Sequence, residues 1–294
     1  MPEGSAGAPL PQALADVTGF LLRRAYLRVL EVVGAPPGAG RQPARHLAVL
    51  MALDTAAAPV SQRWLAESLG LNRTVMGRLI DELERDGLVE RERNAADRRS
   101  YALRTTAKGL EAVALAAPDL DRADASLTAH LSARERARLN ALLRELLSAD
   151  PGRRLPEVLA DRTGFLVTQA HLLMRSRADG ALRELGIEVR HFGTLAVVSD
   201  VGPCSQQEVA SALGVTPPVV VPIVDELESR DFVRRERNPS DRRSYALRLT
   251  PGGERTLGEA RERLELLPAG VFGEKQAAGG PELRALLRRL LGVE

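Results

Sequence analysis

Cysteine, lysine and long apolar runs are all scarce in this chain. A single cysteine, Cys204, stands among 294 residues, which excludes an intrachain disulfide framework or a thiolate zinc site. The longest uncharged stretch, residues 209–224, contains Pro217, Pro218 and Pro222 and is too short to cross a bilayer. Residues 1–10 hold no basic segment leading into an apolar core, so no secretion signal is read and a cytoplasmic setting is expected. His46, His130, His171 and His191 show no metal-ligand spacing. The glycine-rich residues 34–40 lack the Gly-Lys-Ser/Thr of a phosphate loop and read as a linker. No nucleophile elbow is present either. The sequence therefore offers no catalytic residue, no metal and no cofactor, and is read as a non-enzyme.

An excess of one charge is also missing. Lys and Arg number 41 against 39 Asp and Glu, a net charge of +2. A polybasic tail that binds nucleic acid is excluded, and any such contact must come from local patches. Only Lys108 and Lys275 are lysines, so nearly all the basic residues are arginines. A GC-rich coding bias accounts for the excess in bulk; a role for any one arginine has to be argued at its own site. The length is about twice that of a typical domain, which predicts two.

Internal similarity gives those two domains their form. Asp97-Arg98-Arg99-Ser100-Tyr101-Ala102-Leu103-Arg104 recurs residue for residue from Asp241 to Arg248, a shift of 144. Asp81-Glu82-Leu83-Glu84 recurs from Asp225, and Arg91-Glu92-Arg93-Asn94 from Arg235. Thr18-Gly19-Phe20-Leu21 pairs with the segment from Thr163, and Arg45-His46 with Arg190-His191. The chain is two copies of one domain, placed at residues 1–150 and 151–294. A short connector punctuated by Pro151, Gly152 and Pro156 joins them.

Each copy reads as mainly helical with one hairpin. Residues 14–33 and 44–56 carry apolar side chains at helical spacing, and a second-copy helix is expected to begin near Glu157. Ser61 is placed as the cap of a short helix, as is Ser205, with Glu208 three residues on. Gly70 and Gly214 supply turns. The following helix is capped by Asn72 in copy one and Thr216 in copy two, and buries Val75, Leu79, Ile80 and Leu83. Residues 89–93 and 101–105 are two strands around a polar turn. Further helices follow from about Ala107 and from Ser132. The fold class is mainly α with small β-wings: two tandem winged helix-turn-helix domains with helical dimerisation regions, related by a pseudo-two-fold.

Ala66 with Gly70, the Asp81, Leu83, Gly87-Leu88-Val89 segment, the Asp97-Arg98-Arg99 wing, and the second copy's Leu249-Thr250 and Gly253 together resemble the multiple-antibiotic-resistance regulator (MarR) family. Copy one departs slightly, with Thr105-Thr106 before Gly109. The resemblance runs twice over nearly the whole chain. It implies a transcriptional regulator, a repressor until a ligand binds, with duplex DNA as partner. Family members pair two chains through their terminal helices; here one chain holds both halves, so a monomeric pseudo-dimer is expected, with no membrane partner. The resemblance also implies a small-molecule effector, aromatic or phenolic in kind, for which Tyr26, Arg45, His46, Trp64, Arg190 and His191 are candidate contacts.

A helix-turn-helix reads DNA with its second helix in the major groove. In copy one that helix offers Asn72, Arg73, Thr74 and Arg78. In copy two the same face reads Thr216, Pro217, Pro218, Val221 and Pro222, with no charged donor. Pro222 falls inside the helix, where proline costs roughly 3 kcal/mol. The wings keep their charge: Arg93, Asn94, Asp97, Arg98 and Arg99, and again Arg237, Asn238, Asp241, Arg242 and Arg243. An arginine at a hairpin tip is suited to a narrow minor groove, the aspartate aiming it by an ion pair. Two rivals stand beside this reading: a sensor whose second winged domain serves only as a dimerisation half, and an architectural DNA binder without sequence preference.

Overall fold

A computed structural model describes residues 10–33, 42–55, 60–93, 101–150, 153–237, 245–272 and 279–293. The first copy runs α1 (Thr18–Val33), α2 (Ala44–Asp54), β1 (Val60–Ser61), α3 (Gln62–Ser68), α4 (Arg73–Arg85), β2 (Val89–Arg93), β3 (Tyr101–Thr105), α5 (Ala107–Leu127) and α6 (Ala133–Ser148). The second runs α7 (Thr163–Leu182), α8 (Val189–Val201), α9 (Gln206–Leu213), α10 (Pro217–Ser229), β4 (Val233–Arg237), β5 (Tyr245–Leu249), α11 (Pro251–Phe272) and α12 (Gly279–Leu291). The chain is mainly α with small antiparallel wings, as expected. Both predicted strands fall on β2 and β3, paired from Val89 with Thr105 to Arg93 with Tyr101. A third strand, β1, joins them and was not expected; Val60 pairs with Leu103 and Ser61 with Ala102.

The first helix of each copy starts later than its apolar pattern suggests. Gln12–Leu14 and Glu157–Leu159 are isolated 3-10 turns, and the α-helices begin at Thr18 and Thr163. Leu14 and Leu159 are buried all the same. Packing continues the hydrophobic pattern through a segment whose backbone is not helical.

The compact units of the fold cut across the sequence repeat. One comprises residues 1–25 and 174–294, the other residues 26–173. In the first, Leu14 and Phe20 enter the same core as Phe192, Leu195, Val209, Val220 and Leu227. Asp16 pairs with Arg288 at 2.6 Å, and the Ala13 N–H donates to Asp200 at 3.2 Å. In the second, Leu159 lies in the core built by Leu50, Leu65, Met76, Ile80 and Leu83, with Phe165 packed against it. Each winged body is thus closed by the amino-terminal segment of the other repeat.

Candidate nucleic-acid interface

Both helix-turn-helix elements are built alike. The Trp64 N–H donates to Ser61 Oγ at 3.2 Å, capping α3. Ser205 and Glu208 form a full reciprocal capping box on α9, and the bonds from the Ser205 N–H and hydroxyl hold the Glu208 carboxyl below its ordinary range. Each first helix ends in a left-handed glycine, Gly70 at φ +64° and Gly214 at φ +62°, and the next N–H reaches back to Ala66 or Ala210 at 2.9 Å. The left-handed backbone is what calls for glycine at this turn, and a Cβ on Gly70 would also press on the end of the Gln169 side chain, 2.7 Å away.

A tie crosses between repeats at each turn. Gln169, on α7, donates its amide to the Leu69 carbonyl at 2.9 Å, and Arg153 of the connector donates to Gln169 Oε1 at 2.6 Å. In the other unit Arg23, on α1, donates to the Leu213 carbonyl at 2.5 Å. Leu69 and Leu213 are equivalent positions. Burial, then the guanidiniums of Arg24 and Arg175, hold Arg23 below its ordinary pKa. Sequence reading missed these residues, because the partner is a backbone carbonyl that any residue would supply.

The second helices diverge. On α4, Asn72 Oδ1 accepts from the Val75 N–H at 2.8 Å, a cap of the expected kind. Arg73, Thr74 and Arg78 are exposed, while Met76, Leu79, Ile80 and Leu83 are buried. Val75, expected in the core, is only half-buried; Met76 takes that place. Thr216 makes no side-chain capping bond, contrary to expectation: Pro217 and Pro218 bring no N–H, and the next one, of Val219, goes to the Thr216 main-chain carbonyl at 3.0 Å. The helix nonetheless runs unbroken through Pro222 to Ser229. Its buried face of Val220, Ile223, Val224 and Leu227 matches that of α4 and holds it in place. Its outer face is Pro217, Pro218, Val219, Val221 and Pro222, all exposed.

Recognition helix and wing are locked together identically in both copies. Arg91 on β2 reaches Asp81 at 2.5 Å and Glu84 at 2.7 Å; Arg235 reaches Asp225 and Glu228. Behind the helix, His46 lies 3.0 Å from Glu82 and 3.1 Å from Gln42. His191 stands in the equivalent place: its Nδ1 accepts from the Glu188 N–H at 3.0 Å, which puts the proton on Nε2, donated to Glu226 at 2.8 Å. That bond, with Arg190 assisting, holds the Glu226 carboxyl below its ordinary range.

Among the candidate effector contacts, Arg190 and His191 therefore converge on Glu226, and Tyr26 stacks on His171. Trp64 packs half-buried against the first winged core, and Arg45 is exposed. Of the wing residues, Arg93 and Arg237 end β2 and β4. Asn94, Asp97, Arg98, Arg99, Asn238, Asp241, Arg242 and Arg243 lie outside the described residues. Among the described residues no group of three or more His, Cys, Asp or Glu could hold a metal ion. No single described helix is long and apolar enough to cross a membrane; α9 and α10 pass only together, and they are bent by 114°.

A helix, a glycine turn, a second helix with a polar or apolar outer face, and a hairpin braced to it define a winged helix-turn-helix protein, here with two such bodies. The MarR family profile matches residues 39–100 and 185–244, one span in each body. The chain is thus similar to the MarR family twice over, once in each body. It is 34% identical over 91 residues to a putative transcriptional regulatory protein for the hcr operon of Thauera aromatica, a match covering 31% of this chain and 55% of that relative. Among solved structures it is similar to a MarR-family transcriptional regulator from Rhodococcus sp. RHA1, with 26% identity over 46% of this chain and 97% of that one, TM-score 0.42. It is also similar to CouR from Rhodococcus jostii RHA1 bound to p-coumaroyl-CoA, with 28% identity over 46% and 95% of the two chains, TM-score 0.41.

Proposed function

We propose that the chain is a cytoplasmic, ligand-responsive transcriptional regulator, a repressor in its free form, that grips duplex DNA as an intramolecular pair of unequal heads. One observation carries this reading: two winged bodies share their turns and helix–wing bracing, yet differ on the outer face of the second helix. Arg73, Thr74 and Arg78 present donors to the major groove from α4. The matching face of α10 presents proline and valine, whose base contacts are limited to apolar ones such as thymine methyls. The wing arginines of both copies, Arg98 and Arg99 with Arg242 and Arg243, add minor-groove and phosphate contacts. Covalent linkage of the heads raises the effective concentration of the second and frees the two from identity. For the effector, an aromatic or phenolic molecule is the family-based choice, with Tyr26, Arg45, His46 and Trp64 the candidate contacts in one body and Arg190 and His191 those in the other.

Selection from random duplexes, followed by footprinting, tests this. The expected result is one strongly specified half-site beside a weakly specified, A·T-tolerant one. Equal base discrimination in both halves would sink the unequal-heads reading. Protection of a single half-site would favour a second domain kept only for dimerisation, and no preferred sequence would favour an architectural binder.

A further inference from the structure

Two surface grooves lie at corresponding places in the two winged bodies. Gln62, Arg91, Tyr101 and Leu103 line the first, together with Arg63 and Glu84. Gln206, Arg235, Tyr245 and Leu247, each 144 residues further along the chain, line the second. The four side-chain types are kept between the copies while the outer faces of α4 and α10 have become unlike.

Strand register explains why the groove repeats. Val60 opposite Leu103 and Ser61 opposite Ala102 bring Gln62 beside Tyr101 at the next step. In the other body the antiparallel bridge between Cys204 and Leu247 brings Gln206 beside Tyr245 in the same way. Across the hairpin, Arg237 pairs directly with Tyr245, so these two share a face. Gln206, Tyr245 and Arg237 thus form a row running from the helix-turn-helix to the wing.

The chemistry of the row is specific. Tyr101 and Tyr245 are 57% and 55% exposed, which is unusual in a chain with only three tyrosines. Leu103 and Leu247 beneath them are buried. Arg91 and Arg235 are engaged by two carboxylates each and serve as walls. The row offers an exposed phenol beside a half-buried primary amide in each body. Both are neutral hydrogen-bond donors of the kind that position a duplex through its phosphates and sugars, without reading sequence.

We propose that Tyr101 with Gln62, and Tyr245 with Gln206, form two equivalent ledges that seat the sugar–phosphate backbone of duplex DNA. The phenol and amide donate to phosphate oxygens, and the sugar rests on the ring. This rests on the DNA-binding reading above, and gives the second head a hold on DNA that does not depend on α10.

The test uses the full chain and a 30-base-pair duplex of random sequence, titrated at several salt concentrations. Tyr101→Phe/Tyr245→Phe keeps the rings and is expected to weaken binding roughly tenfold, with the salt slope unchanged because no charge is lost. Gln62→Glu/Gln206→Glu places two carboxylates against phosphates and is expected to weaken it by well over ~10-fold. Thermal melts of both variants should stay close to the parent, since the two tyrosines are exposed and the two glutamines only half-buried. Parent-like affinity in both double variants overturns the ledges and leaves the DNA reading standing. Failure of the parent chain to bind any duplex overturns the reading and the ledges together.

Discussion

Tyr26 and His171, which hold the same position in the two repeats, stack on one another with ring centroids 4.7 Å apart and planes inclined by 16°. In a dimer of identical chains, a residue meeting its own counterpart must meet the same side chain. Fusion removes that constraint, and a mixed pair of phenol and imidazole has taken the place.

The stack should be measurable as an energy. Tyr26→Ala and His171→Ala, combined in a double-mutant cycle under urea, are expected to show a coupling of about 0.5–1.5 kcal/mol, the range for stacked rings. Strict additivity would mean that the two rings merely fill space independently.

The proposal of unequal reading heads makes a different prediction. Arg73→Ala and Arg78→Ala are each expected to cost about 1–3 kcal/mol of specific binding, with the loss confined to one half of the footprint. Val219→Ala and Val221→Ala on α10 should cost under ~1 kcal/mol each, by the same apolar-contact arithmetic. A gel-shift titration on the selected operator separates the two outcomes.

Stability has a marked weak point at Asp231. It is the one non-glycine residue with positive φ among those described, at 55°, and it stands where the first copy has Gly87 at φ +70°. Both close the same helix-ending motif: the following N–H reaches back to Leu83 at 2.8 Å or to Leu227 at 3.0 Å. Asp231→Gly should therefore raise the unfolding free energy by ~1 kcal/mol. Gly87→Asp should lower it by a similar amount, both read by urea denaturation.

Cys204 should be chemically quiet. It is 1% exposed, and its backbone bridges to Leu247. Burial first, then the nearby Glu208 carboxylate, push its thiol up to about 11. The folded state therefore favours the neutral thiol: that contribution is whole below the unfolded pKa and is lost as pH rises towards 11. Alkylation by iodoacetamide at pH 7.5 should run at least ~10-fold slower in the native protein than in urea. Rapid native labelling would contradict the buried placement.

The sequence showed some of this plainly and concealed the rest for physical reasons. Ser61, Asn72 and Ser205 were legible as caps because the cap is local chemistry, and the strands 89–93 and 101–105 because a polar turn separates them. Thr216 looked like a side-chain cap only until its neighbours are counted as donors: two prolines have none, and the Val219 N–H is taken by the Thr216 main-chain carbonyl. The start of α1 was misplaced because Leu14 is buried by packing rather than by helix. Which repeat closes which body could not be read at all, since two similar copies satisfy the same pattern either way. Arg23 and Gln169 were invisible for a related reason, their partners being main-chain carbonyls.

The crossed units set an order for the birth of the molecule. Residues 26–173 are contiguous, and that body has all its parts once residue 173 has left the ribosome. The other body begins with residues 1–25 and is not complete until α12 is made. Leu14 and Phe20 are synthesised first and must wait for Phe192, Val220 and Leu227. Closing so long a loop is slow and costs entropy that local contacts do not repay. The amino-terminal segment is therefore expected to dock late, once Phe192, Val220 and Leu227 are in place to receive Leu14 and Phe20.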